Sequence, residues 1–144
     1  MNFLSKINPE WPLRLGLGIM YLYSGYDLML NPSAWIWAVP WWFSKIVTFL
    51  MPLDSYLRLQ GAGEFIMGVL FLAPLELILT GRAWFSIRHV LRVVSILAVI
   101  ELVGILIFTG IGPITFRDIG LLGGAIALLV MTFSTQREIS GKVE

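Results

Sequence analysis

Four apolar stretches of near-membrane length, separated by residues that stop helices, organise this chain of 144 residues. They run over about 12–30, 57–79, 89–109 and 117–134. Each approaches the roughly 20 residues that a helix needs to cross a bilayer. Pro12 opens the first, where its missing N–H is no loss. Gly110, Gly112 and Pro113 break the third from the fourth. Between the first two lies a different pattern, 31–56, with Trp35, Trp37, Trp41 and Trp42 set among Pro32, Pro40 and Pro52. Tryptophans of this kind collect where membrane meets water, so the segment is read as one or two short helices on that surface, or as a cap over the bundle. Trp11 and Trp84 would mark the opposite interface. The pattern predicts an all-α membrane protein, residues 1–144 as one domain. Its fold would be a four-transmembrane-helix bundle with a Trp-rich interfacial segment between helices 1 and 2.

Composition agrees. Hydrophobic residues make up 58% of the chain and charged ones 13%, with a mean hydropathy of +0.85, whereas a soluble domain carries roughly twice that charge. The net charge of +1 and the scatter of the basic residues give no stripe for a phosphate backbone, so nucleic-acid binding is excluded. The chain has no cysteine, which removes disulfides, thiol chemistry and Cys-ligated clusters, and a single histidine, His89, which makes a His-rich metal site impossible. No metal site is expected. The first apolar run is read as a retained anchor: Arg14 and Asp27 interrupt it and no small-residue cleavage site follows.

With four spans both termini share a side. That side would hold Lys6, Arg14, Arg82, Arg88, Arg92, Arg137 and Lys142, against Lys45, Arg58 and Arg117 on the other. The positive-inside rule then puts both termini in the cytoplasm and the Trp-rich segment outside.

Charges inside such stretches are costly and survive when paired, buried in protein or wetted. At 1.5 Å rise per residue, Asp27 lies about 6 Å inside the outer end of its span, Glu64 about 10 Å and Glu101 about 12 Å. Arg117 and Asp118 open the fourth span at that same end. The acids thus converge on the outer half. Glu64 shares a helix face with Gln60, Gly61 and Gly68, a polar and small face that turns a carboxyl into the bundle. It reads equally as a proton acceptor or donor to a ligand and as structural glue. Glu101 stands alone in the apolar run 93–108, as the second member of an acid pair with Glu64 or as the ion-pair partner of Arg117 or Arg58. Asp27 shares a face with Met20, Tyr23 and Ser24, a hydrogen-bonding pocket or a plain helix end. Arg14 and Arg92 read as cations snorkelling to headgroups, and His89 as a surface residue. Gly120 and Gly124 have the spacing of a tight helix contact.

Three stretches resemble one known family. Arg14-Leu-Gly-Leu-Gly18 with Tyr23-Ser-Gly-Tyr-Asp27, then Gly61-Ala-Gly-Glu64 with Gly68, then Phe116-Arg-Asp-Ile-Gly-Leu-Leu-Gly-Gly124 resemble motifs of the DoxX family of small four-helix membrane proteins. The matching polar positions are Arg14, Asp27, Glu64 and Asp118. Members often carry a lysine shortly after the Ser-Gly pair, where this chain has Leu28 and Met29. The resemblance implies a link to redox complexes, since one branch supplies the membrane subunit of a thiosulfate:quinone oxidoreductase. The expectation is therefore an accessory or quinone-interacting subunit of an oxidoreductase in the cytoplasmic membrane, working with a protein partner or as a homo-oligomer. Asp27, Glu64, Glu101, Arg117, Asp118 and Tyr23 are the candidate ligand-binding residues, and the ligand a quinone, with no covalent cofactor. The chain has no redox-active group of its own, so electrons would come from a bound cofactor or partner. A non-catalytic membrane scaffold is the alternative. A conduit would need polar residues continuing inward from Glu64, and 65–75 has none.

Overall fold

The structure is a computed structural model that describes residues 8–73, 82–112 and 115–140, with side chains described except over 82–87 and 134–140. All regular structure among these residues is helical: α1 (Glu10–Leu30), a 3₁₀ segment (Pro32–Ala38), α2 (Trp41–Leu50), α3 (Leu53–Leu72), α4 (Arg82–Thr109) and α5 (Phe116–Ser140). The all-α expectation holds. Of the four expected spans, 88–109 in α4 and 116–133 in α5 are long and apolar enough to cross a membrane. The helices α1 and α3, at 21 and 20 residues, match the length. They fall below that apolarity because they carry Arg14 and Asp27, and Asp54, Arg58 and Glu64, among glycines. The inner end of the second expected span, 74–79, and the side chain of Trp84 lie outside the described residues.

The closest packing among the described residues joins α1 to α3. Gly18 and Gly25 on one helix, seven residues apart, face Gly68 and Gly61 on the other, so the two run antiparallel. A Cβ added at Gly25 would lie 2.5 Å from the Phe65 backbone nitrogen and 2.6 Å from the Gly61 carbonyl oxygen. One added at Gly68 would lie 2.7 Å from the Leu22 nitrogen. The backbones themselves touch, which only glycine permits. A spacing of seven keeps these contacts on one seam through two helical turns.

Each end of the pair is closed by an arginine from the opposite helix. Helix C-termini leave carbonyls without intrahelical donors. At the end of α3, Arg14 Nε donates to the Phe71 carbonyl at 2.8 Å and Nη2 to the Ala73 carbonyl at 2.7 Å. At the end of α1, Arg58 Nη1 donates to the Met29 carbonyl. Arg14 is 1% exposed, ion-paired to Glu10 at 3.4 Å, and lies over the Trp11 ring. The expected snorkelling is corrected: burial among carbonyl acceptors, a carboxylate and a ring face holds this cation inside. Arg92 is corrected likewise. It donates to the Thr132 carbonyl at 3.1 Å and stacks on Phe133, tying α4 to α5. The Gly120–Gly124 spacing makes no tight contact among the described residues. A Cβ at Gly120 meets nothing within 4 Å and one at Gly124 only Leu13, at 3.8 Å.

The helices α4 and α5 form a second antiparallel pair that closes on the first through α1. The core runs through Leu17, Tyr21, Phe71, Leu91, Val94, Ala98, Leu102, Ala125 and Leu128. The helix α2 rests on this bundle through Trp42 against Phe108, with ring centroids 5.4 Å apart, and Phe43 against Tyr56 at 5.5 Å. Its other side leaves Trp41, Ile46, Phe49 and Leu50 exposed.

The glycine seam makes a direct prediction. Gly25→Ala should lower stability by about 1–3 kcal/mol through backbone overpacking. Gly63→Ala, on the same pair but facing open space, should be neutral or add up to about 1 kcal/mol from helix propensity. Thermal unfolding of the purified variants side by side checks this, and equal effects at the two positions would reject the seam.

Candidate functional site

The seam sets the register between Ser24, which precedes Gly25 on α1, and Glu64, one turn beyond Gly61 on α3. Ser24 Oγ donates to Glu64 Oε2 at 2.6 Å. Glu64 is 8% exposed. On the preceding turn of α3, Gln60 Nε2 reaches two carboxyls, Glu64 Oε1 and Glu101 Oε1, both at 3.4 Å. These are long contacts, which leave both acids capacity for another partner. The Tyr21 hydroxyl, 3.5 Å from the Ala98 carbonyl, lies beside Glu101. The buried oxygen Oε2 of Glu101 has no hydrogen-bond partner among the described residues. A buried polar atom left in that state is costly, and it marks the point where the packing is incomplete.

A cavity of about 100 Å³ occupies that point. Its wall takes Met20, Tyr21, Ser24 and Leu28 from α1, then Leu57, Gln60 and Glu64 from α3. Glu101, Leu102 and Ile105 come from α4, and Arg117 and Asp118 from the start of α5. Trp35, Trp37, Ala38 and Val39 lie across it as a strap, with the two indoles stacked at 6.4 Å. Asp118 is 9% exposed at the positive end of the α5 dipole. Arg117 Nε stands 3.7 Å from its carboxylate while the Arg117 side chain is 61% exposed. A second, larger cavity of about 210 Å³ adjoins the first, and Gln60 and Glu101 line both.

Of the residues singled out in the sequence, Glu64, Glu101, Arg117 and Asp118 meet at this cavity. Tyr23 and Asp27 do not line it. Tyr23 is 74% exposed because the face of α1 turned inward is that of Leu17, Tyr21, Ser24 and Leu28, about 100° away around the helix. Asp27 serves the strap instead: its carboxylate accepts from Asn31 Nδ2 and Trp35 Nε1, both at 2.8 Å. Neither expected cation pairs with Glu101 among the described residues, since Arg58 caps α1 and Arg117 turns to Asp118. Gln60, Tyr21 and the strap tryptophans are cavity residues outside the candidate ligand-binding set, and Ser24 was placed in a pocket with Asp27 rather than beside Glu64. Gln60 carried a signal, its place one turn before Glu64. The tryptophans were read as an interfacial segment or as a cap over the bundle, and Trp35 and Trp37 line the cavity as the second of these.

The wall brings together the carboxyls of Glu64, Glu101 and Asp118, the Gln60 carboxamide, the Ser24 hydroxyl and the aromatic rings of Tyr21, Trp35 and Trp37. It can hold a flat, ring-sized group with hydrogen-bonding edges, and it can pass protons to or from such a group. No group of three or more metal-ligating side chains occurs among the described residues. Comparison with known protein families, with curated proteins and with solved structures returns no match.

The Asp27 clasp predicts a local effect. Asp27→Ala removes two charge-assisted hydrogen bonds at a part-exposed site. Amide exchange in the 3₁₀ segment should quicken several-fold, because the hydrogen bonds that hold it to α1 are lost. Exchange within α3 should stay as it was. Hydrogen-exchange mass spectrometry resolves the two regions, and unchanged exchange in the strap would reject the clasp.

Proposed function

We propose that the chain is a four-span, DoxX-like subunit of the cytoplasmic membrane that binds a quinone head group between Glu64 and Glu101 for a partner oxidoreductase. The observation that carries this reading is the acid pair, joined by Gln60, on the wall of a cavity roofed by stacked tryptophans. Quinone reduction takes two electrons and two protons. The electrons would come from the partner's redox centre. The protons would pass through carboxyls placed beside the head group's oxygens, which is what Glu64 and Glu101 supply. Gln60 donates a further hydrogen bond, and the indoles give a flat ring an apolar face.

The membrane reading is supported by where apolar side chains go. Only 28% of the α4 window and 22% of the α5 window are buried inside the protein, whereas the core helix of a soluble protein would bury most of its apolar surface. Ile19 on α1, Ile66 on α3, Ile100 on α4 and Val130 on α5 are all more than half exposed. Together they make a lipid-facing girdle. The helix α1, at 21 residues, would span about 31 Å, the thickness of a bilayer core. Trp41, Phe49 and Leu50 on α2 would sit at the outer interface, held there by the excess of basic residues at the other end. A scaffold has no use for a cavity walled by two carboxyls, and it is the reading to which failure of the first test below would lead.

Glu64→Gln keeps volume and hydrogen-bonding capacity but cannot carry a proton. With a partner present, quinone turnover should fall on the order of 10²–10⁴-fold, the range of general acid–base catalysis, while thermal stability changes little. Absence of saturable quinone binding by the wild type, or normal turnover by the variant, would replace this reading with the scaffold. For orientation, reporter fusions at Glu144 and within 31–56 should report opposite sides, with Glu144 cytoplasmic. Two reporters on one side, or an exported C-terminus, would reject the four-span topology.

A further inference from the structure

We infer that the ligand carries a long apolar chain, and that this chain leaves the acid cavity sideways, between α2 and α4, into the lipid. The inference rests on the head-group reading above and specifies the class of molecule that the site takes. The second cavity, of about 210 Å³, shares Gln60 and Glu101 with the first. From those residues outward its lining turns apolar and aromatic, through Phe43, Gly104, Trp42 and Phe108. The aromatic rings brace one another, Trp42 on Phe43 at 5.6 Å and Trp42 on Phe108 at 5.4 Å, which fixes the frame of the opening. Beside it, Phe108 and Ile107 are 55% and 68% exposed, so the route ends at the apolar girdle. The first cavity alone is covered by Trp35 and Trp37 of the strap, held down by Asp27 through Trp35. A head group therefore has an apolar way in and a polar destination, which suits a ring-headed amphiphile such as an isoprenoid quinone.

Gly104 is the notch in this passage. It lines the cavity, and a Cβ built on it meets nothing within 4 Å. Glycine within a helix is destabilising relative to alanine, and here no close packing requires it. Its missing side chain leaves the width that a chain needs. A large side chain at Gly104 starts from a Cβ with no neighbour within 4 Å and extends into the passage.

The test uses the full chain in lipid nanodiscs, with affinities expressed as mole fraction in the membrane so that partitioning cancels. The probes are a quinone with a long isoprenoid tail, the same quinone without a tail, and a single-chain lipid of matched length as competitor. Gly104→Phe should weaken the tailed quinone about tenfold or more and Gly104→Ala by less, in the order of the volume added, while the tail-less quinone binds with equal affinity to all three. Thermal unfolding of Gly104→Phe no lower than wild type guards against misfolding. Equal effects of Gly104→Phe on both quinones, or on neither, overturn the sideways passage while leaving the head-group site intact. Displacement of the tailed quinone by the single-chain lipid at equal mole fraction assigns the passage to acyl chains and overturns the quinone tail. Failure of both quinones to bind rejects the head-group site and the passage together.

Discussion

Backbone-to-backbone contact between α1 and α3 is the constraint on which the remaining architecture depends. In the membrane setting proposed above, pressing two apolar helices together would bring no hydrophobic gain, because lipid is as apolar as leucine. Close packing must supply the attraction. Four glycines at matched spacings of seven let the two backbones meet at Gly18 against Gly68 and at Gly25 against Gly61. That contact leaves no freedom of register, since a slip of one turn would put a leucine or a phenylalanine against a carbonyl. The reciprocal arginines reinforce the same register from both ends. Arg14 fits the last carbonyls of α3 and Arg58 that of Met29 only when the helices are aligned as they are.

The acid site follows from that alignment. Ser24 and Glu64 sit beside the Gly25–Gly61 contact, so the hydroxyl and carboxyl come within 2.6 Å as a consequence of backbone packing. A polar group in this setting is held by two rigid helices, and its position does not depend on a loop. The helix α4 then brings Glu101 to Gln60 from the less closely packed side of the bundle. The tight pair thus fixes one carboxyl, and the looser contact between α3 and α4 leaves the space beside the other. A cavity at the join between a glycine-packed pair and a side-chain-packed pair is the expected result, because the two pairs have different interaxial distances.

Much of this was legible in the chain itself. Helix limits were readable because proline and glycine punctuate long apolar runs: 12–30 against Glu10–Leu30, and 89–109 inside Arg82–Thr109. The inward turn of Glu64 was readable because Gly61 and Gly68 share its face. Arg14 was misread because its distance from the span's end fits snorkelling as well as burial. What decides between them is the end of α3, some sixty residues away in sequence. Asp27 and Tyr23 were grouped with Ser24 by proximity, yet a step of one residue turns a side chain by about 100°, enough to move Tyr23 from cavity to exterior. The glycine spacing on α5 looked like that of a packing motif, while the packing glycines of this chain are seven apart on α1 and α3. A glycine pattern states that a helix can be approached closely, and only its partner's pattern states that it is.

The tryptophan strap connects these levels. Its sequence reads as an interfacial belt, and an interfacial belt alone would let Trp35 and Trp37 point into headgroups. Two hydrogen bonds to Asp27, one from Trp35 and one from Asn31, turn the segment back over the bundle. The carboxylate that lies nearest the outer end of α1 thus takes no place in the cavity and closes it. The chain divides these acids by what surrounds them. The carboxylate that meets an indole and an amide at the surface serves as a fastening, and those that meet an open space in the bundle are left with bonding capacity. The division gives the site its asymmetry, with polar groups under a roof of tryptophans and an apolar opening toward α2 and α4.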